Sequence, residues 1–225
     1  SSLVKKYESE IIMASDLVAP ISVEDDERIL RDFPDARTHV TLMGMDFSRP
    51  LAYGKGETIH FLFLGRLDWP PNRDGLRWLL DNVWNHVDKA RFHLNIAGSG
   101  DKSWLKSYQG TKGVTFHGFV DDIDDLYHIC HASLVPIFYG SGTRIKVVET
   151  YTKGRAMIST AMGAQGSGLM EGEDYIRAES REEWIQAING FGLDASKVRG
   201  ESGANRLRVE FDAVKVAEQL YSKLS

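Results

Sequence analysis

The chain has 225 residues, 42% of them hydrophobic, and carries a formal net charge of −5 at pH 7. This length is enough for one full core with ~50 residues to spare, because a domain usually takes ~100–200 residues. The acidic balance argues against a nonspecific nucleic-acid surface, and a single cysteine excludes an internal disulfide framework and a cysteine-based zinc site.

The first 57 residues differ in pattern from the rest of the chain. They lack a signal-peptide core, and no apolar run anywhere approaches the roughly 18 residues that cross a bilayer. The single cysteine fits a reducing compartment, so we expect a cytoplasmic protein. Because an initiator Met is also missing, we expect the first residues to be an interior cut of a longer protein. Two helices are predicted here, at 1–14 and 24–32, and two short strands, at 17–22 and 39–42. Because these cannot close a sheet, we predict that residues 1–45 are the remnant of an N-terminal domain. Residues 46–57 are predicted to be a linker.

From residue 58 onward, short β-rich runs alternate with helical patterns. The predicted strands are 59–64, 92–96, 114–116, 132–137, 156–159 and 174–178. After the first helix, further helices are predicted at 102–108, 123–131, 143–153, 181–189 and 204–223. This alternation implies an α/β fold with a doubly wound parallel sheet over residues 58–195. Residues 196–225 are predicted to form a C-terminal helix that crosses back towards the N-terminal domain.

The helix after the first strand is clearly marked. Pro70 and Pro71 stop the extended chain, and Asn72 is a candidate N-cap. Apolar residues then recur at helical spacing: Leu76, Leu79, Leu80, Val83 and Val87. This stripe is expected to lie on the sheet.

A glycine loop follows the predicted strand that ends at residue 137. Gly140 and Gly142 allow the backbone to approach a ligand, and the first amides of the next helix lack partners within the helix. The helix dipole favours negative charge there, Arg144 and Lys146 add cations, and Glu149 follows on the same helix. The implied ligand is a phosphate beside a hydroxyl-rich group.

Four ordered blocks resemble a known family: residues 63–67, 96–100, 114–120 and 140–168. They look like the C-terminal, donor-binding domain of GT-B glycosyltransferases, in particular the retaining GT4-like group (glycosyl transferases group 1). The resemblance covers about residues 57–190. Gly44, Met45 and Asp46 also resemble the family's interdomain NGVD element, with Met43 where Asn is expected. The implied fold is Rossmann-like, the C-terminal half of GT-B.

The resemblance implies roles for individual residues. Arg66, beside Gly65, matches the basic residue that contacts the donor diphosphate, and Phe119 and Val120 match the segment whose backbone contacts the nucleobase. Glu149 matches the second acid of the family's E-x7-E element, which hydrogen-bonds the ribose hydroxyls.

Two departures from the family pattern are visible. Ser141 stands where the first acid of E-x7-E is expected, and the family's second phosphate-binding Lys, expected near Pro71, is absent. Arg144 and Lys146 are the inferred substitutes, so the inferred catalytic cations are Arg66, Arg144 and Lys146. The loop residues inferred to bind the donor are Gly140, Ser141, Gly142 and Thr143.

Other interpretations of these residues remain open. Arg66 could simply pair with Asp68 at the surface, where such a pair contributes only ~0–1 kcal/mol. Glu149 borders the apolar stripe of its helix and could pair with Lys146 and Lys153 on a solvated face. The glycines at 140 and 142 could merely end a strand, and Gly163, Gly166 and Gly168 could form a plain connection instead of a second donor-binding loop.

No metal site is predicted. Asp122 and Asp124 form a DxD sequence, but acids in a first helical turn simply complement the helix dipole. The seven histidines contain no i,i+4 pair or HExxH motif, and His117 is expected to be structural. We expect no cofactor, with a nucleotide-diphosphate sugar as substrate.

The resemblance implies transfer of a sugar from a nucleotide-diphosphate donor to a glycan or lipid-linked acceptor, with retention of configuration. The acceptor would bind the missing N-terminal domain, through which peripheral membrane association is also possible. The isolated chain would then have little activity. Three alternatives stay open: a nucleotide-sugar epimerase, a phosphorylase, and a noncatalytic nucleotide-binding module, the last suggested by Ser141. A dinucleotide-dependent dehydrogenase is disfavoured because Ser103 stands where the third fingerprint glycine is needed.

Overall fold

The structure is a computed structural model that describes residues 2–54, 56–140 and 145–224. Its helices are α1 (Ser2–Ala14), α2 (Val23–Asp32), α3 (Pro70–Trp78), α4 (Asp124–Ile129), α5 (Ile145–Thr152), α6 (Ala161–Ala164), α7 (Arg181–Asn189), α8 (Leu193–Phe211) and α9 (Ala213–Leu224). Its strands are β1 (Ile59–Leu64), β2 (Phe92–Ala97), β3 (Val114–Gly118), β4 (Ala132–Val135), β5 (Ala156–Ser159) and β6 (Ile176–Arg177). The chain folds into two compact units, one of Ser1–Asp46 with Val209–Ser225 and the other Phe47–Arg208.

The larger unit is built on one parallel sheet with the strand order β3-β2-β1-β4-β5-β6. All six predicted strands are present, although β4 and β6 are shorter than predicted. The order reverses between β1 and β4, which is where doubly wound sheets open a crevice at the carboxyl ends of their strands. The predicted doubly wound parallel sheet is therefore confirmed.

The helix after β1 packs its apolar stripe on the sheet as predicted. All five apolar residues of the stripe are buried: Leu76, Leu79, Leu80, Val83 and Val87. The helix continues beyond Trp78 as a π-helical turn (Leu79–Val83) and a 3₁₀ turn (Trp84–His86). The predicted N-cap was wrong, because the helix starts at Pro70, and Trp69 occupies the N-cap position without a side-chain capping hydrogen bond. Proline's fixed φ and missing N–H suit the first helical turn, so Pro70 and Pro71 begin the helix instead of preceding it.

The smaller unit contains α1, α2 and α9, and its two predicted strands are reduced to one isolated parallel bridge between Val18 and Thr38. The Val18 N–H donates to Arg37, and the N–H of Thr41 donates to the carbonyl of Pro20. The ladder stops there because proline has no N–H to donate.

The predicted helix at 204–223 is two helices that meet at Asp212. A carboxylate oxygen of Asp212 accepts hydrogen bonds from the N–H groups of Val214 and Lys215, at 3.1 and 3.3 Å. An aspartate in this position caps a new helix, so α9 starts afresh at Ala213. Within the described ranges, no helix is both long enough and apolar enough to cross a membrane.

Candidate functional site

A cavity of about 220 Å³ lies at the carboxyl ends of β1, β2 and β3. Five residues predicted to bind the ligand line it: Gly65, Arg66, Phe119, Val120 and Glu149. They come from three separate segments, which are the turn after β1, the turn after β3 and the helix α5. The remaining walls are Leu64, Ala97, Gly98, Ser99 and Ile123.

The floor of the cavity is backbone. The N–H of Gly65 donates to Ala97 at 3.1 Å and the N–H of Gly98 donates to Gly118 at 2.7 Å, which extends the strand pairing into the turns. A Cβ atom on Gly98, at φ +157°, would lie 1.8 Å from the carbonyl oxygen of Gly65. The turns after β1 and β2 can therefore approach each other this closely only if residue 98 is glycine. Their close approach leaves room for a ligand in the cavity.

Arg66 extends from the cavity rim and is paired with Asp68. Its Nε and Nη2 atoms donate to the two carboxylate oxygens of Asp68 at 3.1 and 2.8 Å, and its side chain is 68% exposed. These hydrogen bonds raise the pKa of the Arg66 guanidinium and lower the pKa of the Asp68 carboxyl. The surface pair considered from the sequence is thus formed, at a position that still lines the cavity.

Glu149 turns a half-buried carboxyl towards the same cavity. Burial raises the pKa of this carboxyl, Lys153 lowers it in part, and Asp124 raises it further. The ammonium of Lys153 is paired with Asp124 at 2.5 Å, and that of Lys146 donates to Asn72. Within the described part of the chain, no side chain hydrogen-bonds or ion-pairs with the Glu149 carboxylate. The pairing with Lys146 and Lys153 considered from the sequence is therefore not formed.

Asn72 connects the two cation-bearing segments and was not predicted as a site residue. Its amide Nδ2 donates to the backbone carbonyl of Arg66 at 3.0 Å, and its Oδ1 accepts from Lys146 Nζ at 2.7 Å. The same ammonium lies 5.3 Å from the centre of the Phe63 ring. The sequence signal that could have identified Asn72 is its position in the first turn of α3, the helix that follows β1 and the predicted site residues Gly65 and Arg66.

Phe119 and Val120 form the wall that follows β3. The Phe119 side chain is 68% exposed, whereas Val120 packs against the buried cluster of Leu62, Ala97 and Leu126. This arrangement presents a backbone turn, backed by apolar side chains, to the cavity. Such a surface suits a flat heterocycle that hydrogen-bonds main-chain groups.

The glycine loop is described only in part. Gly140 has φ +118°, a conformation that favours glycine. Ser141, Gly142, Thr143 and Arg144 lie outside the described residues, so the anion cradle predicted there stays a prediction. The loop after β5 differs from expectation, because Gly163 lies inside α6, whose N-cap Thr160 accepts a hydrogen bond from the Gly163 N–H. A Cβ at Gly163 would lie 2.2 Å from the Ser159 hydroxyl oxygen.

Asp122 and Asp124 lie at the start of α4, where Asp122 accepts a hydrogen bond from the Asp124 N–H at 2.9 Å. His117 contacts the side chain of Asn95 at 2.9 Å, in line with a structural role. Among the described residues, no group of three or more His, Cys, Asp or Glu side chains is arranged to hold a metal ion.

Comparison with known proteins gives a family and a fold. The family model for glycosyl transferases group 1 matches residues 58–191, more than half of the chain. Over 200 residues the chain is 22% identical to an uncharacterized 44.6 kDa protein in the cps region of Klebsiella pneumoniae, covering 83% of this chain and 50% of that protein.

Two solved structures share the fold. Sucrose-phosphate synthase from Thermosynechococcus elongatus matches with a TM-score of 0.70 at 18% identity, covering 96% of this chain and 60% of that one. Anabaena Alr3699/HepE, solved in complex with UDP and glucose, matches with a TM-score of 0.71 at 15% identity, covering 93% and 63%. The chain therefore spans about half the length of the curated relative and under two thirds of these structures. The expected Rossmann-like fold of the C-terminal half of GT-B is confirmed.

Proposed function

The chain belongs to the glycosyl transferases group 1 family, and we propose that it holds the nucleotide diphosphate of a sugar donor during transfer of the sugar to an acceptor. The observation that carries the proposal is the shared cavity. Three segments distant in sequence bring a cation at Arg66, a backbone turn at Phe119 and Val120, and a carboxylate at Glu149 to one small space. A nucleoside diphosphate needs these three kinds of group.

Each group suits one part of such a ligand. The base would lie on the turn at Phe119 and Val120, and the ribose hydroxyls would donate to Glu149. The diphosphate would then meet Arg66 and Lys146. A carboxylate that is half-buried and without a described side-chain partner is a strong acceptor for hydroxyl donors, because hydrogen bonds to charged groups exceed neutral ones in strength.

The diphosphate end extends towards the start of α5. We include Gly140, Ser141, Gly142 and Thr143 in this part of the site as backbone donors, with Arg144 as a further cation. The first N–H groups of a helix and the positive end of its dipole generally favour an anion. Cations and amides placed where the leaving diphosphate gains charge would lower the barrier to transfer. On this basis we propose transfer that needs neither a metal ion nor a cofactor, with the donor as substrate.

The wider activity follows from the family resemblance. We propose a GT4-like, retaining hexosyltransferase that acts in the cytoplasm in polysaccharide biosynthesis, and the relative in a cps region is in keeping with this. Residues 1–45 would be the remnant of an acceptor-binding N-terminal domain that takes a glycan or lipid-linked acceptor. That domain would also supply any peripheral membrane contact. The chain by itself would bind the donor and turn over little.

Titration calorimetry of the chain with UDP, uridine and pyrophosphate, each with and without EDTA, tests the donor site. UDP is the first nucleotide to try because Alr3699/HepE was solved with it, and GDP and ADP follow as the other base classes. Binding of a nucleoside diphosphate that is tighter than binding of its nucleoside and unchanged by EDTA is expected. Lack of binding by all three diphosphates, or an absolute need for added Mg²⁺, contradicts the proposal.

Ser141 favours a second candidate, a noncatalytic nucleotide-binding module, because the acid expected there is missing. The two candidates differ in the fate of the donor. Incubation of the full-length protein with donor and an acceptor extract should give a glycosylated product or free nucleoside diphosphate only if transfer occurs. An isomerised sugar in the absence of acceptor would instead identify an epimerase.

A further inference from the structure

We propose that Asn72 is a positioning residue that holds Arg66 and Lys146 at a fixed separation for the donor diphosphate. The inference rests on the proposed function, since it concerns the anion-binding end of the same site. Asn72 lies in α3 and bonds to two other segments at once. Its Nδ2 donates to the Arg66 carbonyl at 3.0 Å, and its Oδ1 accepts from the Lys146 ammonium at 2.7 Å.

The two partners fix the orientation of the amide. A carbonyl oxygen can only accept and an ammonium can only donate, so Asn72 must direct its NH₂ to Arg66 and its oxygen to Lys146. No other side chain of this length offers a donor and an acceptor while staying neutral. The neutral amide therefore ties Lys146 to the β1 turn without cancelling its charge.

The backbone around Asn72 is shaped to bring the amide to this place. A Cβ at Gly65 would lie 2.6 Å from Asn72 Nδ2, so the amide rests where a side chain at position 65 would be. One turn further along the same face of α3, a Cβ at Gly75 would lie 1.7 Å from the Pro136 carbonyl oxygen. Two glycines thus let α3 lie directly on the segments that follow β1 and β4, with Asn72 between them.

This arrangement predicts a particular cost for each change at position 72. Asn72→Ala frees Lys146 and the β1 turn from each other. Asn72→Asp keeps the size and the acceptor but loses the donor, and it places a carboxylate against Lys146 in an anion site. If Asn72 only stabilised the fold, Asn72→Ala should lower the free energy of unfolding more than the isosteric Asn72→Asp does. If Asn72 holds cations for the diphosphate, Asn72→Asp should lower ligand affinity more than Asn72→Ala does.

The test is calorimetry of UDP, uridine and pyrophosphate binding to the wild type and to the Asn72→Asp, Asn72→Ala, Lys146→Ala and Asn72→Ala/Lys146→Ala variants. Asn82→Asp is the matched control, because Asn82 also donates its amide to a backbone carbonyl, that of Trp78 at 2.9 Å. Unlike Asn72, it has no hydrogen bond to Arg66 or Lys146 in the described part of the chain. Thermal unfolding of each variant shows whether it is folded.

Asn72→Asp is expected to raise the Kd for UDP and for pyrophosphate by about tenfold or more. Asn72→Ala should have a smaller effect, uridine binding should not change, and the double variant should bind no more weakly than Lys146→Ala alone. Equal UDP affinity of the wild type and a folded Asn72→Asp, or additive losses in the double variant, would overturn the positioning role. If Asn72→Asp does not fold, the comparison of Asn72→Ala, Lys146→Ala and the double variant decides. Failure of the wild type to bind either UDP or pyrophosphate would overturn the proposed function and this inference together.

Discussion

Arg66 and Asp68 are joined by two hydrogen bonds, of 3.1 and 2.8 Å, at the rim of the cavity. The cation assigned to the diphosphate is therefore held by a carboxylate two residues away. Both groups lie at the surface, where water and salt weaken the pair. Such a pair can hold the guanidinium in place and still yield to a more highly charged ligand.

Removing the cation should weaken diphosphate binding. We expect Arg66→Ala to reduce UDP affinity by about 10- to 100-fold, the scale of hydrogen bonds to a charged group, and to leave uridine affinity unchanged. Calorimetry measures both. Arg73, a half-buried arginine that pairs with Asp74 at 2.9 Å, provides a matched control as Arg73→Ala. Wild-type UDP affinity in a folded Arg66→Ala variant would leave Arg66 as a surface residue only.

Removing the Asp68 carboxylate, which competes with the ligand for Arg66, should strengthen diphosphate binding. We expect Asp68→Asn to strengthen pyrophosphate binding by about two- to fivefold, the range of an exposed ion pair. The gain should shrink as salt is added, because screening already weakens the pair in the wild type. Weaker binding in Asp68→Asn would mean that Asp68 orients Arg66 for the ligand and does not compete with it.

Arg155 provides a prediction about stability. Its side chain is fully buried and donates five hydrogen bonds to backbone carbonyls, including those of Leu51 and Ala52 in the predicted linker. Its guanidinium also lies 4.2 Å from the centre of the Tyr53 ring. Burial lowers the pKa of Arg155, because removing the cation from water is unfavourable. The hydrogen bonds to these carbonyls offset that cost.

Arg155→Met keeps much of the volume but leaves the carbonyls without a donor. We expect the free energy of unfolding to fall by about 3 kcal/mol or more, since several charge-assisted hydrogen bonds are lost together. Urea denaturation measures this change. Arg91→Met is the matched control, because the exposed Arg91 also lies over an aromatic ring and donates to one carbonyl. Similar losses in the two variants would contradict the assigned role of Arg155.

The sheet could be predicted because each strand is a short run of apolar residues, whereas in the helices between them apolar residues recur at helical spacing. Proline and aspartate explain the main errors. Pro20 ends a ladder that the residue pattern alone favours, and Asp212 restarts a helix that periodicity would continue. Both effects depend on a partner strand or on a local turn, which a pattern of apolar residues does not record.

The site was predictable where its residues follow strand ends, since parallel strands bring their carboxyl ends to one edge. The partners of the charged side chains were not. Lys146 on α5 and Lys153 just after this helix are near Glu149 in sequence. Their ammonium groups nevertheless bond to Asn72 on α3 and to Asp124 on α4. Spacing along one helix shows which charges could meet, and only the packing of helices decides which do.

Glu149 should give stability a pH dependence of definite sign. Its pKa is raised above 4.5 in the folded protein, so the folded state binds the proton more tightly than the unfolded chain. The free energy of unfolding therefore falls as pH rises from about 4.5 through the raised value, and below 4.5 the penalty is absent. We expect Glu149→Gln to unfold at a higher temperature than the wild type at pH 7, and this difference should vanish near pH 4. Parallel curves for Glu149→Gln and the wild type would contradict the expectation.

Ligand binding to Glu149 variants distinguishes a contact with the ribose from a role as a charged neighbour of Lys146 and Lys153. The two roles predict changes of opposite direction in UDP affinity, and they differ in their effect on pyrophosphate. If its carboxylate accepts the ribose hydroxyls, Glu149→Ala should weaken UDP binding by about tenfold or more, the scale of a charge-assisted hydrogen bond, and leave pyrophosphate binding intact. Glu149→Gln should fall between the alanine variant and the wild type, because an amide keeps one acceptor and the size of the side chain.

An ionised Glu149 is needed for this contact, which makes pH a further test. UDP affinity of the wild type should fall as pH is lowered towards the raised pKa of Glu149, and that dependence should be absent in Glu149→Gln. Pyrophosphate titrated over the same range corrects for its own ionisation and for that of the cations. If Glu149 acted only as a negative neighbour of Lys146 and Lys153, the alanine variant would free positive charge and bind both UDP and pyrophosphate more tightly. Equal or tighter UDP binding in Glu149→Ala would therefore remove the ribose contact from the proposed site and leave the diphosphate end alone to support it.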